Sequence, residues 1–456
     1  MLENSKLRDL IYLFLKSIPK NNYYLFLIIL ASFIIRVIYV FYFTHYKTYL
    51  ITDMGNYWNA GLNWYNEKGL SRADWMPWTP IFPIYLSNLF KVISFLNLYD
   101  YKLEIVLFLN IIYSTVSVYF FYLISTYILK NTHYSLIVTA LYAFNYIVIY
   151  FNSLVLTENV ALPMFIISVY LLFAYSESRL ITFLNGVFFG LAVAIRLAFG
   201  IIALPFFLYV VLAKKFSVNS LFRGILFALG FFIVIFFVAV ENNHVSQGKY
   251  KGLSPHGAVN FLIAQCKAPT FISNYKGYVY SLSDGYFSLE KDLVKQEKIE
   301  TDHPIYDQKY FYQLGIDCIK KDPSTLIGNF IHLRALIFRD LHPSFLDAKG
   351  FNYFWHLTQY TVFFMVLSLG MFYYLFKGSS EAIISNKPLL FIISVLACTV
   401  FMAYFFLPAS RYFVPVYFIL YLLFFTIISH IKDYKQQFIN YIRTLVLVYF
   451  IYLFFC

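Results

Sequence analysis

Five charged residues sit where charge is costly. Asp53 lies just past the first long apolar run, in Ile51-Thr52-Asp53-Met54-Gly55-Asn56-Tyr57-Trp58. Asp74 lies in the turn-rich stretch Arg72-Ala73-Asp74-Trp75-Met76-Pro77-Trp78-Thr79-Pro80. Glu158 opens an apolar run in Asn152-Ser153-Leu154-Val155-Leu156-Thr157-Glu158-Asn159. Arg196 interrupts residues 182–213, and Arg411 follows Pro408-Ala409-Ser410. Charges at membrane depth face a partner or a wet cavity. Carboxylates from early in the chain and arginines from later are therefore expected to share a polar chamber, with Asp53 as the carboxylate placed for chemistry at the membrane surface. Each residue also has a plainer reading. Asp53 and Asp74 suit solvated turns. Glu158 suits a helix N-terminus, where the macrodipole favours an anion. The two arginines suit headgroup anchors.

The elements that must position these groups are membrane helices. Of 456 residues, 61% are hydrophobic and only 13% charged, a composition that excludes an ordinary soluble domain. Phe (53) and Tyr (43) are abundant, and Tyr and Trp favour the water–lipid boundaries. Trp58, Trp64, Trp75 and Trp78 are accordingly expected in an interfacial belt. The net charge of +12 is scattered between apolar runs, which points to membrane orientation and not to nucleic acid. The first run, near Tyr23 to Phe43, lacks a small-residue cleavage site and reads as a span, not a signal peptide.

Apolar lengths predict eleven crossings, at about 23–43, 104–128, 135–150, 154–175, 182–197, 199–213, 221–240, 356–376, 388–407, 412–430 and 441–455. Lys6, Arg8, Lys16 and Lys20 precede the first, and Lys130, Arg179, Lys214, Lys215, Lys377 and Lys432 fall at the same side. That is the positive-inside pattern, with the N-terminus cytoplasmic in a cell (inner or plasma) membrane. It also favours two short helices over 182–213, with Arg196 near the outer surface.

Three regions result: an N-terminal membrane module over 1–240, whose first outer loop is 44–103; an outer domain over 241–355; and C-terminal helices over 356–456. Within the loop, Ile81 to Leu96 is expected to lie at or dip into the outer leaflet as a helix. Cys266 and Cys318 both fall in the outer domain, where they either pair or remain two buried thiols. His256, His303, His332, His342 and His356 have no ligand spacing, and the sequence has no C-x-x-C, H-E-x-x-H, P-loop or G-x-S-x-G pattern.

The order of local patterns resembles the GT-C superfamily of polytopic glycosyltransferases, in particular bacterial relatives of protein O-mannosyltransferases and lipid A aminoarabinose transferases. An outer-loop Asp53 is followed by Tyr57, Ala60 and Gly61; Pro80-Ile81-Phe82-Pro83-Ile84-Tyr85-Leu86 leads into an apolar segment; Thr157-Glu158 opens a later span. Arg196 follows in a short-helix pair, then a Lys321-Asp322-Pro323 turn, then Arg411-Tyr412. The resemblance covers most of the chain. The first-loop motif carries a single Asp where many members have an acidic pair, which argues against a divalent metal.

This resemblance implies an all-helical membrane fold and inverting transfer of a sugar from a polyprenyl-phosphate carrier to a glycolipid, glycan or protein at the outer face. Asp53 would be the general base. Arg196 and Arg411 would hold the donor phosphate through their guanidinium forks. Glu158 would hold an arginine or a sugar hydroxyl, Asp74 would position a substrate, and Tyr57 and Tyr412 would support binding. No cofactor and no nucleic acid are implied. Two other readings fit many spans with outer charges: a lipid or oligosaccharide flippase, and an O-antigen-type polymerase or ligase. A flippase should show repeats or broken helices near the midplane, and no repeat is evident; the early-loop Asp favours the transferase over the ligase.

Overall fold

The computed structural model describes residues 23–66, 79–212, 216–246, 248, 250–254, 256–266, 271–275, 278–283, 286–289, 308–333, 358, 387–406 and 417–430. The expected spans at 356–376 and 441–455 lie outside these, as do Asp74, Arg411 and Tyr412.

Helices dominate. They are α1 (Tyr23–Ile38), α2 (Thr52–Tyr65), α3 (Ile81–Phe95), α4 (Lys102–Leu129), α5 (Thr132–Ala143), α6 (Tyr146–Phe151), α7 (Glu158–Tyr175) and α8 (Arg179–Ile195). After them come α9 (Ala203–Leu212), α10 (Val218–Val245), α11 (His256–Gln265), α12 (Gln308–Lys321), α13 (Ser324–His332), α14 (Lys387–Phe405) and α15 (Tyr417–His430). Between α11 and α12 a small antiparallel meander joins β1 (Phe271–Tyr275), β2 (Tyr278–Ser283) and β3 (Tyr286–Leu289). Its register pairs Phe271 with Leu282 and Ser281 with Ser288.

Among the described residues, five helical stretches are long and apolar enough to cross a membrane: Tyr23–Phe43, Tyr99–Leu129, Glu158–Tyr175, Val218–Val245 and Lys387–Phe405. Large apolar side chains on α10, including Phe232, Phe236 and Phe237, are more than half exposed. An outward face of this kind suits lipid and would be a liability in water. The chain thus has the architecture of a helical membrane protein.

Lipid supplies no hydrophobic drive between helices, so close packing and polar contacts must hold them. α8 and α10 meet backbone to backbone. A Cβ on Gly186 would overlap the Phe227 carbonyl, and one on Gly230 would overlap the Phe183 carbonyl. Polar side chains fix the helix starts: Asn131 caps α5, Asn145 caps α6, Ser178 caps α8, and Ser217 with Ser220 forms a capping box on α10.

Three boundaries differ from the expected ones. Residues 135–150 form two helices, because the chain breaks at Phe144 and Asn145 and the Asn145 side chain accepts from Val148 N. The run starting at 154 becomes helical only at Glu158. Residues 152–157 are buried and irregular, a conformation tolerated at depth only when protein surrounds it. Third, the segment expected as the first outer loop carries α2 as well as the expected α3. Met54, Trp58 and Gly61, at helical spacing, are buried. Gly61 admits the Leu86 side chain, and Trp58 packs edge-on against Phe90 at 4.9 Å. Trp58 is therefore a core residue and not part of a belt.

α11 and α12 form a separate layer, with Phe311 fully buried between them and Cys266 bonded to Cys318 in a disulfide. This layer and α13 dock on the end of α14, where the Gln265 side chain donates to the Phe405 carbonyl (2.8 Å) and Tyr404 Oη donates to the Leu326 carbonyl of α13 (2.9 Å). In the Lys321-Asp322-Pro323 turn, Asp322 accepts from Ser324 N (3.1 Å) and so starts α13.

Candidate active site

The site is built where two helices are interrupted. α8 stops at Ile195. Arg196 is extended (φ −136°, ψ 96°), and the chain resumes as a 3-10 turn over Leu197–Ile202 before α9. This is the break expected within 182–213. It turns the Arg196 side chain inward, where it is 8% exposed.

Its partner comes from the second interruption. Glu158, the first residue of α7, is 2% exposed. Its Oε1 lies 2.5 Å from Arg196 Nη1. Thr157 Oγ1 donates to Glu158 Oε2 (2.9 Å) and accepts from Arg196 Nη1 (3.4 Å). The contact is a buried ion pair bridged by the Thr157 hydroxyl. Desolvating both ions is expensive, so the pair is weak evidence of stability but strong evidence of a fixed geometry.

Side-chain amides hold the loop that presents Glu158. Asn152 Nδ2 donates to the Val148 carbonyl (3.1 Å) and Asn159 Nδ2 to the Phe151 and Leu154 carbonyls (both 2.8 Å). Asn110 of α4 donates to the same Leu154 carbonyl (3.1 Å). These bonds satisfy carbonyls that a continuous helix would have satisfied itself. Beside the loop is a cavity lined by Ser114, Ser117, Asn152, Glu158 and Asn159. The centre of a water molecule has about 10 Å³ of room there, enough for one water.

Asp53 lies in the first turn of α2 and is half-buried. Its helix packs on α3, and α3 reaches α8, with Ile81 of α3 and Val187 and Leu191 of α8 all packed against the buried cluster of Ala194, Val234 and Val238. One continuous set of helices thus carries Asp53 and Arg196. Tyr57 packs edge-on against Phe82 at 5.2 Å and is buried. The structure brings Glu158 and Arg196 together; Asp74, Arg411 and Tyr412 lie outside the described residues. Among the described residues, no group of three or more His, Cys, Asp or Glu is placed to hold a metal ion.

Sequence reasoning missed Arg36, fully buried in the last turn of α1. A lone arginine inside an apolar run, with Ser32 one turn before it, was the available signal. It also passed over Asn110 and Asn145. The second donates through Nδ2 to Tyr421 Oη (2.7 Å) and ties the α5–α6 break to α15.

No known family model matches the chain, and no curated protein sequence matches it.

Proposed function

We propose that the protein is an integral-membrane glycosyltransferase of GT-C type. It moves a sugar from a polyprenyl-phosphate donor to a glycolipid, glycan or protein acceptor at the outer face of the plasma membrane. The proposal includes eleven spans, a cytoplasmic N-terminus and no metal or other cofactor.

The observation that carries it is the buried Glu158–Arg196 pair at a helix break. It sets a guanidinium, held in one orientation, into the bundle core, where it would meet the lipid phosphate of the donor. In the reaction, the acceptor hydroxyl attacks the anomeric carbon as Asp53 takes its proton. The bond from that carbon to the phosphate oxygen breaks, and its electron pair stays on the phosphate. Attack from the face opposite the phosphate inverts the sugar carbon. Negative charge then grows on polyprenyl phosphate, where Arg196 and Arg411 oppose it without reorganising. Glu158 keeps Arg196 in place, Thr157 bridges the two, and Asp74, Tyr57 and Tyr412 support binding around them.

The test is transfer by the protein in nanodiscs from a panel of polyprenyl-phosphate sugars, followed by mass analysis of the acceptor. Arg411→Ala should raise the donor KM more than the acceptor KM. The opposite pattern would remove Arg411 from the phosphate site.

One observation favours a second reading, a lipid or oligosaccharide flippase. The interruptions at Phe144–Asn145 and at Arg196 are broken helices of the kind transporters use. A flippase would move a fluorescent polyprenyl-phosphate sugar across liposomes without forming a new glycosidic bond.

A further inference from the structure

Arg36 is 0% exposed, inside the first membrane-length helix. Its Nε donates to Ser114 Oγ of α4 (3.0 Å), and its Nη1 to the Ser32 carbonyl (3.1 Å), Ser32 Oγ and the Ala143 carbonyl (2.8 Å). No carboxylate pairs with it among the described residues, and Nη2 has no partner among them. A cation kept in such a place without an anion is costly, and the cost points to a role.

Two structural paths lead from it to the Glu158–Arg196 pair. Ala143 is the last residue of α5, so Arg36 sits on the negative end of that helix. The chain then breaks, Asn145 starts α6, and α6 runs into the buried loop that ends at Glu158. The second path is shorter. Ser114 accepts from Arg36 Nε, which leaves its own hydroxyl proton to point elsewhere, and Ser114 lines the water-sized cavity shared with Asn152 and Glu158. Asn152 Oδ1 is a buried acceptor with no partner among the described residues. A water in the cavity would donate to it and accept from Ser114.

We infer that Arg36 is a positioning residue for the Glu158–Arg196 pair, acting through Ser114 and one water in the cavity beside Glu158. Arg36 touches no substrate. It fixes α1, α4 and the end of α5 together, and so fixes the loop that presents Glu158. Its effect on donor binding rests on the transferase reading above; its coupling to Glu158 does not.

The test is a set of double-mutant cycles on the full chain in nanodiscs. Arg36→Lys and Ser114→Ala are each made with and without Glu158→Gln, and polyprenyl phosphate affinity and the unfolding midpoint are read. The expected result is about a tenfold loss of affinity in either variant while Glu158 is present, and less than about twofold once Glu158→Gln has released Arg196. Equal losses on both backgrounds would overturn the inference and leave Arg36 a general support. If Arg36→Lys fails to fold, Ser114→Ala, which keeps the arginine, decides by the same criterion. If the wild type does not bind polyprenyl phosphate, the donor reading fails and the unfolding cycle decides alone. Non-additive shifts with Glu158→Gln then sustain the positioning role, and additive shifts overturn it.

Discussion

Arg36 and Arg196 are the same ion held in two ways. Arg196 stands at a helix break, faces Glu158 and shares Thr157 with it. Arg36 stands within a helix and is solvated by hydroxyls and carbonyls, one of them at the end of α5. The first arrangement neutralises charge with charge. The second spreads charge over dipoles that serve the neighbouring helices as well. The difference teaches that removal of each residue strands a different group, so the two should fail differently.

The largest effect is expected at the pair. Glu158→Ala leaves Arg196 buried without its anion and should cost about 3–5 kcal/mol in unfolding free energy, read by reversible denaturation in detergent. A change under about 1 kcal/mol would mean that water reaches the pair, and the distinction between the two arginines would fade. Arg36→Met strands no ion. It removes a charge and leaves Ser114 Oγ and the Ala143 carbonyl short of a donor, at about 1–3 kcal/mol. A larger loss than for Glu158→Ala would reverse the comparison. A similar effect is expected at a contact remote from both arginines. Gly186→Ala would set a Cβ into the Phe227 backbone carbonyl and force α8 off α10, at about 1–3 kcal/mol. Because α8 ends at Arg196, a fall in polyprenyl phosphate binding with little loss of stability would show that this packing aims Arg196.

Much of the framework was legible in the sequence. The bounds of α1, α4, α10 and α14 follow apolar length, and the break at Arg196 follows charge within a run too long for one span and too short for two full ones. The break at Asn145 and the loop before Glu158 were not legible. They depend on Asn145, Asn152 and Asn159 bonding to backbone, and an asparagine in an apolar run reads the same whether it caps a helix or faces another one. α2 was missed because its buried face is mostly aromatic and glycine, and it becomes a helix by packing on α3. Glu158 and Arg196 were each singled out, but their contact needed the fold, since 37 residues and two helix ends lie between them. Arg36 was hidden by the strength of the hydrophobic pattern around it.

The central claim is sugar transfer with Asp53 as the base. The direct measurement is single-turnover transfer from a polyprenyl-phosphate sugar by wild type and by Asp53→Asn, which keeps the shape and removes the proton acceptor. Transfer should fall by about 10²–10⁴-fold with donor binding retained. A wild-type rate in Asp53→Asn would contradict the account.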